Sequence, residues 1–123
     1  MFAKTLGVAA VALLAFSTSS LAAGDVAAGM KVAVRCKACH SFVEGKIKKA
    51  PSLFGVVGRQ AGTLPKFTYS LAMKNSGIVW TPDKLDAYLA GPKALVIGNQ
   101  MGHRGVPKDE SRADLIAYLE TLK

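Results

Sequence analysis

Towards the end of the chain, Ala113, Leu115, Ile116, Leu119 and Leu122 recur at the spacing of one helical face. Ser111, with Asp114 three residues on, predicts where that helix starts. A second helix is predicted from Thr81-Pro82-Asp83: threonine as N-cap, proline at the first helical position and an acid in the first turn. Leu85, Tyr88 and Leu89 form its apolar stripe, and Gly91-Pro92 stops it. Asp25 serves as N-cap for a helix running to about Lys37, and a shorter helix covers about Ser70 to Asn75 and ends at Gly77. The segments between are rich in Gly, Pro and Lys and show little strand-like alternation. The pattern predicts an all-α domain whose loops enclose something.

The N-terminal hydrophobic run is of a different kind. Lys4 is followed by an apolar stretch from Leu6 to Phe16, a polar stretch at Ser17 to Ser20, and then small residues. That order is the one found in a secretory signal peptide. Cleavage is expected after Ala22 or Ala23, so residues 1–23 are expected to be removed, leaving 24–123 as one small domain exported to the periplasm. The run is too short to span a bilayer, and no later stretch approaches the length needed.

Candidate chemistry is concentrated at Cys36-Lys37-Ala38-Cys39-His40. A C-x-x-C-H run reads as a site of c-type haem attachment. Cysteines at i and i+3 of a helical turn point the same way, so each can take one haem vinyl group as a thioether. His40 follows where its ring can reach the iron as an axial ligand. Other readings of the motif are a thioredoxin-like pair, a zinc site and a simple disulfide. The first needs a βαβ context that the flanks do not show. For the second, Cys36, Cys39, His40 and His103 would supply four ligands, with Cys39 and His40 an unusual adjacent pair around a tetrahedral ion. These two cysteines are the whole thiol inventory of the chain.

Beyond the motif, the chain resembles the class I c-type cytochromes of the cytochrome c2 and mitochondrial cytochrome c type, and does so over the whole of 24–123. The resemblance is carried by Pro51-Ser52-Leu53-Phe54-Gly55-Val56-Val57-Gly58-Arg59, by Phe67-Thr68-Tyr69-Ser70 and Ile78-Val79-Trp80, and by Tyr88-Leu89-Ala90-Gly91-Pro92-Lys93 and Asp114-Leu115-Ile116-Ala117-Tyr118-Leu119. It implies the class I cytochrome c fold, with three to five helices and loops wrapped around one covalently attached haem c. It further implies that His40 and Met101 are the axial ligands of the iron and that the Pro51 carbonyl accepts the other ring N–H of His40. Arg59, Tyr69 and Trp80 would donate to a haem propionate, and Tyr88 would lie beside the Met101 sulfur. Gly29 would let the first helix cross the last one closely, near Tyr118. The implied function is that of an electron carrier, not an enzyme, with iron cycling between Fe(II) and Fe(III).

Met101 stands in the polar stretch Ile97-Gly98-Asn99-Gln100-Met101-Gly102, which from residues alone leaves gap-filler and ligand both open. This stretch departs from the family pattern. Ile97 replaces a usual proline, Asn99 and Gln100 replace threonine and lysine, and His103 stands where an aromatic residue covers the haem edge. His103 is expected to be an edge side chain, and Ala33, in place of an aromatic, is expected to reduce contact between the terminal helices.

Charge bears on partners. Without Lys4, 15 basic residues face 8 acidic ones, a net charge of +7. Arg35, Lys37, Lys46, Lys48, Lys49, Lys66, Lys93, Arg104 and Lys108 flank the segments expected at the haem edge. Such a ring would steer the protein onto acidic docking surfaces of membrane redox complexes: a cytochrome bc1-type donor, and a reaction centre, oxidase or reductase as acceptor. Nucleic acid is not expected, since no aromatic-basic interleaving is present, and the protein is expected to be a monomer.

Overall fold

Local capping sets where most of the helices begin. In the computed structural model, which describes residues 7–13 and 24–123, the Asp25 carboxylate accepts from the Ala28 N–H at 2.8 Å and opens α1, Val26–Ala33. The backbone then tightens into a 3₁₀ turn over Val34–Cys36, so the helix expected to reach Lys37 comes in two pieces. Ser70 Oγ accepts from the Met73 N–H at 3.1 Å and caps α2, Leu71–Lys74. Thr81 Oγ1 accepts from the Lys84 N–H at 3.3 Å and caps α3, Pro82–Ala90. The expected leader at 1–23 falls mostly outside the described residues.

Two boundaries differ from the sequence expectation. Gly91 does end α3, but Pro92 opens a further turn, α4, Pro92–Leu95, because a proline needs no N–H partner at the first helical position. The last helix, α5, Asp109–Glu120, begins two residues before Ser111. Its N-cap Lys108 makes no side-chain bond, and Asp109 and Glu110 instead place negative charge in the first turn.

The most extensive helix–helix contact among the described residues is the crossing of α1 on α5. Gly29 makes it this close: a Cβ there would lie 2.0 Å from the Asp114 carbonyl oxygen and 2.9 Å from Tyr118 Cβ. The Asp25 N–H donates to Asp114 Oδ1 at 2.8 Å and ties the two helices again. Ala33 is fully buried at the end of α1, and the Phe42 ring packs edge-on to Tyr118 with centroids 5.9 Å apart.

The predicted apolar faces form the core. Leu85 and Tyr88 of α3 and Leu115, Ile116 and Leu119 of α5 are buried together with Val56. Arg112, only 7% exposed, ties the start of α5 to its surroundings. It donates to the Val106 and Pro107 carbonyls at 3.0 Å each, to Asp86 at 2.8 Å, and to Asp109. No long sheet accompanies the helices among the described residues; a single antiparallel bridge joins Gln60 and Val79.

Candidate functional site

The chain keeps winding after the 3₁₀ turn. The Cys39 and His40 N–H groups both donate to the Cys36 carbonyl, at 3.2 and 2.9 Å, so Cys36 and Cys39 come to one side of a helical turn. Both are free thiols, and with His40 they line a cavity of about 600 Å³. Burial pushes the Cys36 thiol up from its ordinary value; Arg35 opposes this and Cys39 adds to it.

Residues 50–53 run beside the motif and hold its histidine. The Ala50 N–H donates to the Cys39 carbonyl at 3.0 Å and the Leu53 N–H to the Ser41 carbonyl at 2.8 Å. Between these two bonds, the Pro51 carbonyl lies 2.6 Å from His40 Nδ1. A carbonyl can only accept, so Nδ1 carries the proton and Nε2 keeps the lone pair. Burial lowers the imidazole pKa more than the Pro51 bond raises it, and Arg59 and His103 lower it further. The ring is therefore neutral at neutral pH, the form in which a histidine can ligate a metal.

Met101 lines the same cavity, on the loop that follows α4. The Tyr88 hydroxyl donates to its sulfur at 3.7 Å. Tyr88 is buried against Trp80, ring centroids 4.9 Å apart, and burial pushes its phenol up to about 12. The Met101 N–H donates to the Asn99 side chain at 2.8 Å, a tie that sequence reasoning missed.

Arg59 and Trp80 are brought together by the short bridged arm. The Gly58 N–H donates to the Trp80 carbonyl at 2.8 Å and the Trp80 N–H to the Arg59 carbonyl at 2.9 Å. The Arg59 guanidinium donates to the carbonyls of Ser52, at 2.9 Å, and Phe54, at 3.3 Å. Burial lowers its pKa from the ordinary value, and Tyr69 acts the other way. Tyr69 Oη accepts from the Leu64 N–H at 3.3 Å. His103 Nδ1 accepts from the Gly105 N–H at 3.0 Å. All nine site residues expected from sequence therefore border one cavity, and His103 borders it too.

The rival readings of the motif find no support in this geometry. No group of three or more His, Cys, Asp or Glu side chains gathers as a metal cluster among the described residues, Cys36, Cys39, His40 and His103 included. The described residues include no βαβ unit either.

Known proteins give the same picture. Cytochrome c2 of Rhodopila globiformis is 52% identical over 88 residues, covering 72% of this chain and 83% of that protein. Cytochrome c2 of Rhodomicrobium vannielii is 44% identical over 120 residues, covering 96% of each. Among solved structures, cytochrome cH from Methylobacterium extorquens superposes with a TM-score of 0.76 at 42% identity, covering 80% of this chain and 99% of that one. The chain belongs to the class I c-type cytochromes. No family profile matches it. It has the all-α cytochrome c fold, and its family consists of electron-transfer proteins rather than enzymes.

A class I cytochrome implies a covalently bound haem c, and the residues present fit one. Leu53, Val56, Leu85, Leu115 and Leu119 give the cavity apolar walls, and its volume is in the range of cofactor sites. The donor set is two free thiols at the attachment spacing, an imidazole with Nε2 unprotonated, and a thioether.

Proposed function

We propose that this chain is a monohaem electron carrier of the cytochrome c2 kind, exported to the periplasm after loss of residues 1–23, where it shuttles single electrons between membrane redox complexes. The observation that carries this reading is that one apolar cavity gathers Cys36, Cys39, His40 with its proton locked on Nδ1, and Met101 with Tyr88 on its sulfur. Cys36 and Cys39 would hold haem c by thioether bonds, and His40 Nε2 and Met101 Sδ would be the ligands to its iron. When bound, the haem would supply an iron able to cycle between Fe(II) and Fe(III).

The chain's own residues do the rest. Pro51 fixes the tautomer and orientation of His40. The Tyr88 hydroxyl withdraws density from the Met101 sulfur. Arg59, Tyr69 and Trp80 would serve the propionates; Arg59 keeps N–H groups beyond the two spent on Ser52 and Phe54. With His40 and Met101 both ligating, small molecules would be kept from the metal, which suits outer-sphere electron transfer.

Arg35 and Lys49 border the cavity, and Lys37, Lys46, Lys48, Lys66, Lys93, Arg104 and Lys108 are likewise exposed. That basic surface supports docking on acidic faces of a cytochrome bc1-type donor and of a reaction centre, oxidase or reductase as acceptor. None of the described helices is long and apolar enough to cross a membrane. Intact mass and redox titration of protein from the periplasmic fraction test the reading together. The expected result is a chain starting at Ala23 or Gly24, carrying one haem and titrating as a single one-electron couple. Unprocessed protein held in the membrane fraction, or a chain without haem, would contradict it.

A further inference from the structure

The loop that carries Met101 has almost no apolar hold on the protein. Between Val96 and Gly105, which are buried, Ile97, Gly98, Gln100, Gly102, His103 and Arg104 are exposed, and Met101 is half-buried. Ile97 is 83% exposed despite its size. The one buried residue in this span is polar: Asn99, 4% exposed. Its Nδ2 donates to the Pro92 carbonyl at 2.8 Å and the Val96 carbonyl at 2.9 Å, and its Oδ1 accepts from the Met101 N–H at 2.8 Å. Lys93 Nζ donates to its backbone carbonyl at 2.7 Å.

Each end of this arrangement has a different role. Pro92 and Val96 are buried at the two ends of α4, so the amide nitrogen is anchored to a fixed element. Because both Nδ2 donors are spent there, Oδ1 is the atom turned to Met101. The Pro92 and Val96 carbonyls also accept from the Val96 and Asn99 N–H groups, so removing the side chain does not leave them unpaired. It does remove the bond the side chain gives the Met101 N–H.

We propose that Asn99 is a positioning residue, whose carboxamide braces the Met101 backbone against α4 and so sets where the sulfur sits in the cavity. This rests on the reading of Met101 as an axial ligand. Leucine has nearly the shape of asparagine and none of its hydrogen bonds. Serine can still accept from the Met101 N–H but cannot reach both carbonyls as a donor.

The test measures imidazole binding to the ferric holoprotein, together with the weak ferric sulfur-to-iron band, in the native protein and in Asn99→Leu, Asn99→Ser and Leu122→Ala. Imidazole competes with Met101 for the metal, so a less firmly braced loop shows as tighter imidazole binding. Asn99→Leu is expected to bind imidazole ~10-fold more tightly with a weakened sulfur band, Asn99→Ser to fall between it and the native protein, and Leu122→Ala to bind like the native protein. Native-like imidazole binding in Asn99→Leu overturns the proposal and leaves the axial reading standing. An equal gain in Leu122→Ala, which is altered away from the cavity, also overturns it, since the effect would then be general loosening. If Asn99→Leu does not fold, Asn99→Ser decides: an affinity equal to native overturns the proposal. A native protein without the sulfur band overturns both readings.

Discussion

The Tyr88 hydroxyl on α3 donates to the Met101 sulfur, on a loop 13 residues further on, across 3.7 Å. A donor on a thioether sulfur makes it a poorer donor to the metal, and a poorer sulfur donor destabilises the ferric state more than the ferrous. Tyr88→Phe removes the hydroxyl and keeps the ring against Trp80. Its reduction potential is expected to fall by ~20–60 mV, one weak hydrogen bond expressed for a one-electron couple. Burial keeps the Tyr88 phenol protonated until about 12, so the shift should be the same at pH 6 and pH 9. A rise in potential, or a shift that appears only in alkali, would contradict the assignment.

Gly29 sets the α1–α5 crossing. In Gly29→Ala the new methyl carbon would lie 2.0 Å from the Asp114 carbonyl oxygen, and that atom is backbone, which cannot turn away. The helices must separate, at a cost of about 2–3 kcal/mol. Denaturant unfolding should show a lower midpoint with a nearly unchanged slope. An unchanged midpoint would mean that the helices can part without loss.

Arg112 binds four acceptors, and they do not count equally. Asp109 is almost fully exposed, so Asp109→Asn should cost less than about 1 kcal/mol, the little that an exposed ion pair and one first-turn charge contribute. Arg112→Met should cost about 1–3 kcal/mol, chiefly through the Val106 and Pro107 carbonyls it leaves without its donors. Thermal unfolding distinguishes these expectations. Equal losses in the two variants would place the stabilisation in the ion pair instead.

What could be read from sequence was local. Ser70 and Thr81 act on N–H groups three residues away, so the starts of α2 and α3 show in the chain itself. The start of α5 does not, because Lys108 offers no cap bond and the first turn is held instead by Arg112 reaching back to Val106 and Pro107. Pro92 reads as a stop, yet it is equally fit to open a turn, and only the packed structure decides between the two. The Cys36–His40 motif is legible because its residues are consecutive, whereas the Pro51 carbonyl reaches His40 from 11 residues away and came only through the family resemblance. Asn99 was visible as a departure from the family pattern, but its partners at positions 92, 96 and 101 follow no repeat that spacing could signal.

The exposed basic residues bear on association rates. Raising ionic strength from about 0.01 M to about 0.15 M shortens the Debye length from ~30 Å to ~8 Å. The second-order rate of electron exchange with an acidic partner protein should then fall by at least ~10-fold. Stopped-flow mixing measures this, and a flat salt profile would remove steering from the mechanism.

The most direct test of the site is a visible and near-infrared absorption spectrum of the purified protein, recorded ferric and then ferrous. Sharp c-type bands, with a weak sulfur-to-iron band in the ferric form alone, are the predicted result: Cys36 and Cys39 holding one haem between His40 and Met101. Haem bands without the sulfur band would contradict Met101 ligation, and a spectrum without haem would contradict the proposal as a whole.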